Sequence, residues 1–259
     1  MNIKRLVARS ISEVYGGISM ALPISTDFRV LMYHSIGTPA LGDKLGIFSL
    51  SREKFILQMS SLSSGQFGQV VNFSQNSLHS EGSRLSITFD DGYLDNLEVA
   101  APILDELGFS FTVFVTSDFV RHQKKGFLSP SNLRDLSIFS GATIGSHGAT
   151  HCALTECNDE ELENELISSK KFLEDVIGKE VSSIAYPYGA ANRRVRNAAL
   201  NAGYQLGACS LAGTNQAVRD PLMLARTEII SWDTNRIFSQ KLRGYWDWYR
   251  WWKQDPLCL

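Results

Sequence analysis

The chain has 259 residues, 44% of them apolar, and a formal net charge of −2. That is enough to bury the core of one domain of α/β-barrel size. Without a basic surplus a nucleic-acid partner is not expected, and no apolar run approaches the length of a membrane span.

In chain order, Lys4, Arg5 and Arg9 precede a loosely apolar stretch, Ile11 to Leu22, that Glu13, Gly16 and Gly17 interrupt. It lacks the continuous apolar core of a signal peptide, so a cytoplasmic location is expected, with the periplasm or membrane association as the alternative. A first strand runs through Arg29 to Tyr33 and ends at His34. Ser51 caps a helix with Phe55, Ile56, Met59 and Leu62 on one face. Leu85 to Phe89, short and rich in apolar and β-branched residues, reads as a buried strand. Asn96 to Leu107 reads as a helix closed by Gly108, and Phe111 to Thr116 as the next strand. A further strand approaches through Ile144. Asn158 or Thr155 caps a long helix through Ile177, with Leu162, Leu166, Leu173 and Val176 on one stripe and Gly178 ending it. Val181 to Ile184 is another strand. This alternation predicts βα units around a parallel sheet, in a single domain over 1–259 with 1–27 as an N-terminal extension and 245–259 as an aromatic tail.

Three segments carry the chemistry. In Thr88-Phe89-Asp90-Asp91-Gly92, two carboxylates at a strand's end point to different sides of the backbone, because side chains alternate. One can hold a metal while its neighbour takes a proton. In Ser146-His147-Gly148-Ala149-Thr150-His151, two histidines four apart can share one face of a helical turn and converge on a cation. A zinc-protease helix would need glutamate after the first histidine, where Gly148 stands. Asp91, His147 and His151 together outline an open, catalytic metal site rather than a closed structural one. In Ala185-Tyr186-Pro187-Tyr188-Gly189, proline and glycine mark a fixed turn that can aim a backbone N–H into a cleft. Every candidate segment follows a strand, where α/β barrels concentrate chemistry.

Taken in series, these segments resemble the three motifs of the polysaccharide deacetylase family, also called NodB-homology or carbohydrate esterase 4, over about Val30 to Ile229. The resemblance implies a distorted (β/α)7 barrel of the NodB-homology type. It departs in two places: Ala185 stands where the third motif commonly has arginine, and no histidine follows His151. The Tyr33-His34 opening is similar to the branch of the poly-N-acetylglucosamine deacetylases, whose acid histidine comes from the N-terminal strand. Pro221 to Ile229 resembles that branch's closing, arginine-bearing strand.

What the resemblance implies is a metal-dependent hydrolase that removes an N-acetyl group from an amino sugar in a glycan or lipid-linked precursor. Asp91, His147 and His151 hold a divalent metal, zinc by preference over cobalt or nickel. Asp90 is the base, Arg226 its partner in place of the missing arginine, the Tyr188 N–H the oxyanion donor and His34 the acid. His79 and His122 read as solvated loop residues, leaving His34 as the histidine at a strand end. An O-deacetylase and a non-catalytic glycan-binding protein stay open as alternatives. Of four cysteines, Cys152, Cys157, Cys209 and Cys258, none has a paired metal spacing and no disulfide framework is indicated. Cys152, beside His151, reads as a small buried side chain or a further ligand. Specificity is expected in the loops 37–48 and 119–128. Tyr245, Trp246, Trp248, Tyr249, Trp251 and Trp252 form an aromatic cluster fit for packing, self-association, peripheral membrane contact or sugar stacking.

Overall fold

The computed structural model describes residues 7, 8, 10–14, 27–40 and 42–252, and for 250–252 the backbone alone. Strand β1 is Phe28–Tyr33, every residue of it buried, and it lies parallel to β5, Arg84–Phe89, over its full length. Outward from β5 follow β6 (Phe111–Val115), β7 (Ala142–Ser146), β8 (Ser183–Ala185) and β9 (Leu206–Ala208), all parallel. On the other side of β1 lies β10, Thr227–Glu228. Leu224, three residues before β10, bridges back to Ala208 of β9. One segment therefore touches both edges and rounds the sheet into a barrel of seven strands. A short β4, Gln69–Val70, pairs with the start of β5, and β2 (Ser35–Ile36) pairs separately with β3 (Ser49–Leu50).

Period-two patterning sorts the strands. Phe28 and Val30 of β1, Phe114 of β6 and Ala185 of β8 form a core inside the barrel, whereas Leu31, Tyr33, Leu85, Ile87, Phe89, Val113 and Val115 face the helices. On β5 the opposite set is polar. Ser86 donates to the Val71 carbonyl and Thr88 to that of Leu31. Asp90 continues that alternation just past the strand.

Helix α1, Arg52–Ser63, is capped by Ser51 and buries Phe55, Gln58, Met59 and Leu62, with Ile56 at the edge of the stripe. A short α2, Gln75–His79, precedes β5. The helix expected from Asn96 instead opens as a wide turn over Asn96–Ala100, where Ala101 N–H reaches back to Asn96, before α3, Ala101–Glu106. Pro102 explains this: it has no N–H to give to the turn below, so the regular hydrogen-bond ladder is interrupted there and the backbone widens just before it. The strand expected through Thr116 ends at Val115 and leads into α4, Ser117–Arg121, followed by α5, Pro130–Ser137.

Helix α6, Asp159–Ile177, takes Asn158 rather than Thr155 as its cap, in a reciprocal box with Glu161, and ends at left-handed Gly178. Helices α7, Arg193–Asn201, and α8, Asn235–Leu242, complete the shell.

The start of the aromatic tail is packed. Arg29, buried on β1, holds Asp247 through two hydrogen bonds of 2.9 and 2.8 Å. Tyr245 and Trp248 are buried, and the Trp248 indole donates to Ser12. Tyr249 is exposed. The side chains of Trp251 and Trp252, and most of the 1–27 extension, lie outside the described residues. No described helix is long and apolar enough to cross a membrane.

Candidate active site

All the candidate residues gather at one end of the barrel, where β1, β5, β7 and β8 finish and the closing segment arrives. Asp90 is 3% exposed. Arg226, 1% exposed, grips both its oxygens, with Nη1 donating to Oδ1 at 2.6 Å and Nη2 to Oδ2 at 2.7 Å. The rest of the guanidinium is satisfied too, since Nε donates to the Cys209 carbonyl and the cation lies 5.7 Å from the Phe114 ring centre. Burial pushes the Asp90 carboxyl up, but the Arg226 charge, helped by His147 and His34, outweighs it and holds the pKa below the ordinary value.

Asp91 leaves the strand. Its φ of 73° is left-handed, so this turn, rather than strand alternation, swings its carboxylate away from Asp90. Asp91 Oδ1 lies 3.1 Å from His151 Nε2 and 3.5 Å from His147 Nε2. Burial works to raise this carboxyl's pKa, but contact with His151 and the nearby His34 and His147 imidazoles hold it well below the carboxylate range.

The two histidines do not share a helical turn. Residues 147–151 form a loop beyond β7, and the rings converge because Gly148 (φ 73°) and His151 (φ 67°) are both left-handed. Glycine is needed at 148, where a Cβ would also come within 3.1 Å of Glu165 Oε2. Glu165, buried on α6, fixes this loop by accepting from the N–H groups of Ala149 and Thr150 and from the Thr150 hydroxyl. The sequence reading missed Glu165. Its signal was an acid inside the apolar stripe, between Leu162 and Leu166.

Each imidazole is oriented from behind. His147 Nδ1 lies 2.7 Å from the Ala185 carbonyl, a bond in which the ring must be the donor, leaving Nε2 with a free lone pair. His147 is 2% exposed, and burial lowers its pKa despite Asp90 and Asp91, which favours the neutral, ligating form. His151 Nδ1 lies 3.1 Å from the Tyr188 hydroxyl. Tyr188 is 70% exposed and itself left-handed, at φ 59°. Asp91, His151 and Tyr188 are thus three of four non-glycine residues with positive φ among those described, a concentration of backbone strain at one site.

The ligand atoms of Asp91, His147 and His151 all lie within 4.8 Å of one another. Asp91 Oδ1 is buried with no donor directed at it. One carboxylate oxygen and two back-bonded imidazoles facing each other across a shared space fit a divalent cation of the zinc type.

His34 follows β1 directly. Its ring packs on Phe48, 4.6 Å between centres, Asn96 donates to its carbonyl, and its buried Nδ1 has no hydrogen-bond partner. His79 and His122 are exposed as expected, His122 in the turn just past α4 and His79 as the last residue of α2 rather than in a loop. Both expected specificity loops border the site, through Phe48 beside His34 and Phe119 against His151 at 6.1 Å. Cys152 does not join the metal group. Its sulfur faces Cys157 at 3.2 Å, and burial, with the hydrogen bond to Cys157, pushes its thiol up to about 12.

Comparison with known proteins points to one family. The polysaccharide deacetylase family model matches residues 79–207, which include Asp90, Asp91, His147, His151 and Tyr188. YxkH of Bacillus subtilis is 28% identical over 201 residues, 76% of this chain and 68% of that one. The peptidoglycan-N-acetylglucosamine deacetylase PgdA of Listeria monocytogenes is 31% identical over 115 residues, 43% of this chain but only 23% of PgdA. Among solved structures, BC0361, a polysaccharide deacetylase from Bacillus cereus, superposes with a TM-score of 0.74 at 26% identity, over 83% of this chain and 69% of that one. The chain belongs to the polysaccharide deacetylase family.

Proposed function

We propose that this protein is a metal-dependent hydrolase that removes the N-acetyl group of an amino sugar within a polysaccharide, oligosaccharide or lipid-linked glycan precursor. The observation that carries the reading is the pairing of two differently held carboxylates. Asp91 lies against His147 and His151, while Asp90, its neighbour, is kept ionised by Arg226. The likeness to PgdA, a peptidoglycan-N-acetylglucosamine deacetylase, supports the choice of an amide substrate.

Amide hydrolysis needs an activated water, a stabiliser for the oxyanion and an acid for the amine. A divalent ion on Asp91, His147 and His151, zinc by donor type, would supply Lewis acidity and a lower pKa for bound water. Asp90 takes the proton of the attacking water, and Arg226 ensures that it is ionised before the reaction starts. The Tyr188 N–H donates to the oxyanion. His34, at the end of β1, protonates the departing nitrogen.

The test is incubation of the zinc-loaded protein with N-acetylated and with O-acetylated oligosaccharides, measuring free amine and acetate separately. Amine and acetate in equal amounts are expected from the first set. Acetate from the second set alone would make the protein an esterase, and no product from either would overturn a catalytic reading.

A further inference from the structure

The mechanism has no use for the thiols of Cys152 and Cys157, yet their sulfurs lie 3.2 Å apart and both residues are half-buried. A disulfide needs the sulfurs at about 2.05 Å, so closure requires a movement of about 1 Å. The segment between them is already folded back. Glu156 N–H bonds the Ala153 carbonyl, and Leu154 is fully buried. Arg194, from α7, donates to the carbonyls of Leu154, Thr155 and Cys157 and pairs with Asp159 at the start of α6. The turn that holds the thiols together is therefore built from outside and does not depend on the sulfurs. Glu156, Glu161 and Asn164 line a surface depression with the two cysteines, which leaves them a route to a small oxidant.

We infer that Cys152 and Cys157 form a redox-active dithiol that closes reversibly into a disulfide and staples the turn following His151. Closure breaks two S–H bonds and forms one S–S bond. Two electrons and two protons pass to an oxidant of the disulfide class, which leaves as two thiols. Cys152 is joined directly to His151 and Cys157 to Asn158, the cap of α6. The bond would thus tie the metal-ligand turn covalently to the base of that helix. Because it acts outside the reacting atoms, this inference does not depend on the substrate.

The test treats the intact, folded protein with oxidised glutathione, blocks remaining thiols by alkylation, and digests with trypsin. No lysine or arginine lies between Asp135 and Ser169, so both cysteines fall in one peptide, 135–170. That peptide is expected to escape alkylation, to be lighter than its reduced form by two hydrogens, and to regain both alkylation sites after dithiothreitol. The oxidised protein should melt about 4 °C higher than the reduced one, and Cys157→Ser should show neither effect. Free alkylation of both cysteines after oxidation, mixed disulfides with glutathione in their place, or an unchanged or lower melting temperature of the oxidised form would each overturn the inference.

Discussion

The Tyr188 hydroxyl stands 3.1 Å from His151 Nδ1, so an exposed phenol braces this imidazole from behind and can accept the Nδ1–H bond that leaves Nε2 its lone pair. Tyr188→Phe preserves the ring, the backbone N–H and the strained turn, and removes only that bond. Zinc affinity, measured by competition with a chelator, should fall about tenfold, in line with other groups that orient ligands from behind. The melting temperature of the metal-free protein should hardly move. Unchanged affinity would mean that something other than the phenol fixes this ring.

Arg226→Met tests the other carboxylate. With the cation gone, burial is the main influence left on Asp90 and raises its pKa. The acid limb of the pH–activity profile should move toward neutrality by about one pH unit or more. Stability carries the same sign. A depressed carboxylate pKa stabilises the fold above the unfolded value, near 3.9, and that contribution is lost as pH falls through the folded value. In the variant the raised Asp90 pKa costs stability at pH 7, a cost that disappears as the carboxyl protonates. The deficit, about 3 kcal/mol at pH 7 for a broken buried pair, should therefore narrow as pH falls toward 4 in urea titrations, and further below it, where the unsubstituted protein loses its own contribution. A deficit independent of pH would show that Arg226 acts by packing alone.

His34→Ala should fold and bind zinc, yet lose about 10²- to 10⁴-fold in amide turnover, the usual contribution of general acid–base catalysis. An ester with a low-pKa leaving group departs unprotonated and should suffer much less. Equal losses on both substrates would reduce His34 to a positional role.

Asp247→Ala leaves Arg29 buried without its bidentate partner, although Thr227 still accepts one bond. A loss of about 2 kcal/mol in urea unfolding is expected, with zinc content unchanged. Loss of zinc without loss of stability would instead connect the aromatic segment to the chemistry.

Much of this arrangement was legible in the sequence, for physical reasons that differ by residue. Asn158 and Gly178 bracket α6 because a capping side chain and a left-handed glycine are local requirements, readable a few residues at a time. Asp90 faces the barrel because β5 keeps a strict two-residue period. The left-handed turns at Asp91, His151 and Tyr188 escaped prediction although the residues themselves did not, since each adopts a backbone conformation that its own side chain disfavours and that the surrounding fold imposes. Glu165 escaped because its three bonds go to main-chain and hydroxyl groups on another element, a relation with no local imprint beyond a charge in an apolar stripe. The contact between Cys152 and Cys157 depends on a turn held by Arg194, some forty residues later in the chain.

The segment from Leu224 to Glu228 has a consequence for how the molecule comes into being. It bridges β9 at Leu224 and β1 at Thr227, so the ring of strands closes only when nearly the whole chain is present. Arg226 lies between those two contacts and 136 residues from Asp90. A growing chain could lay down β1, β5, β6, β7 and β8, with the histidine loop in place, and still carry an Asp90 without its counter-charge. Long-range closure of this kind is slow to reach. Completion of the fold and the pairing of Asp90 thus coincide: the last strand to join also delivers its counter-charge, and under the proposed mechanism an unfinished barrel would be an inactive one.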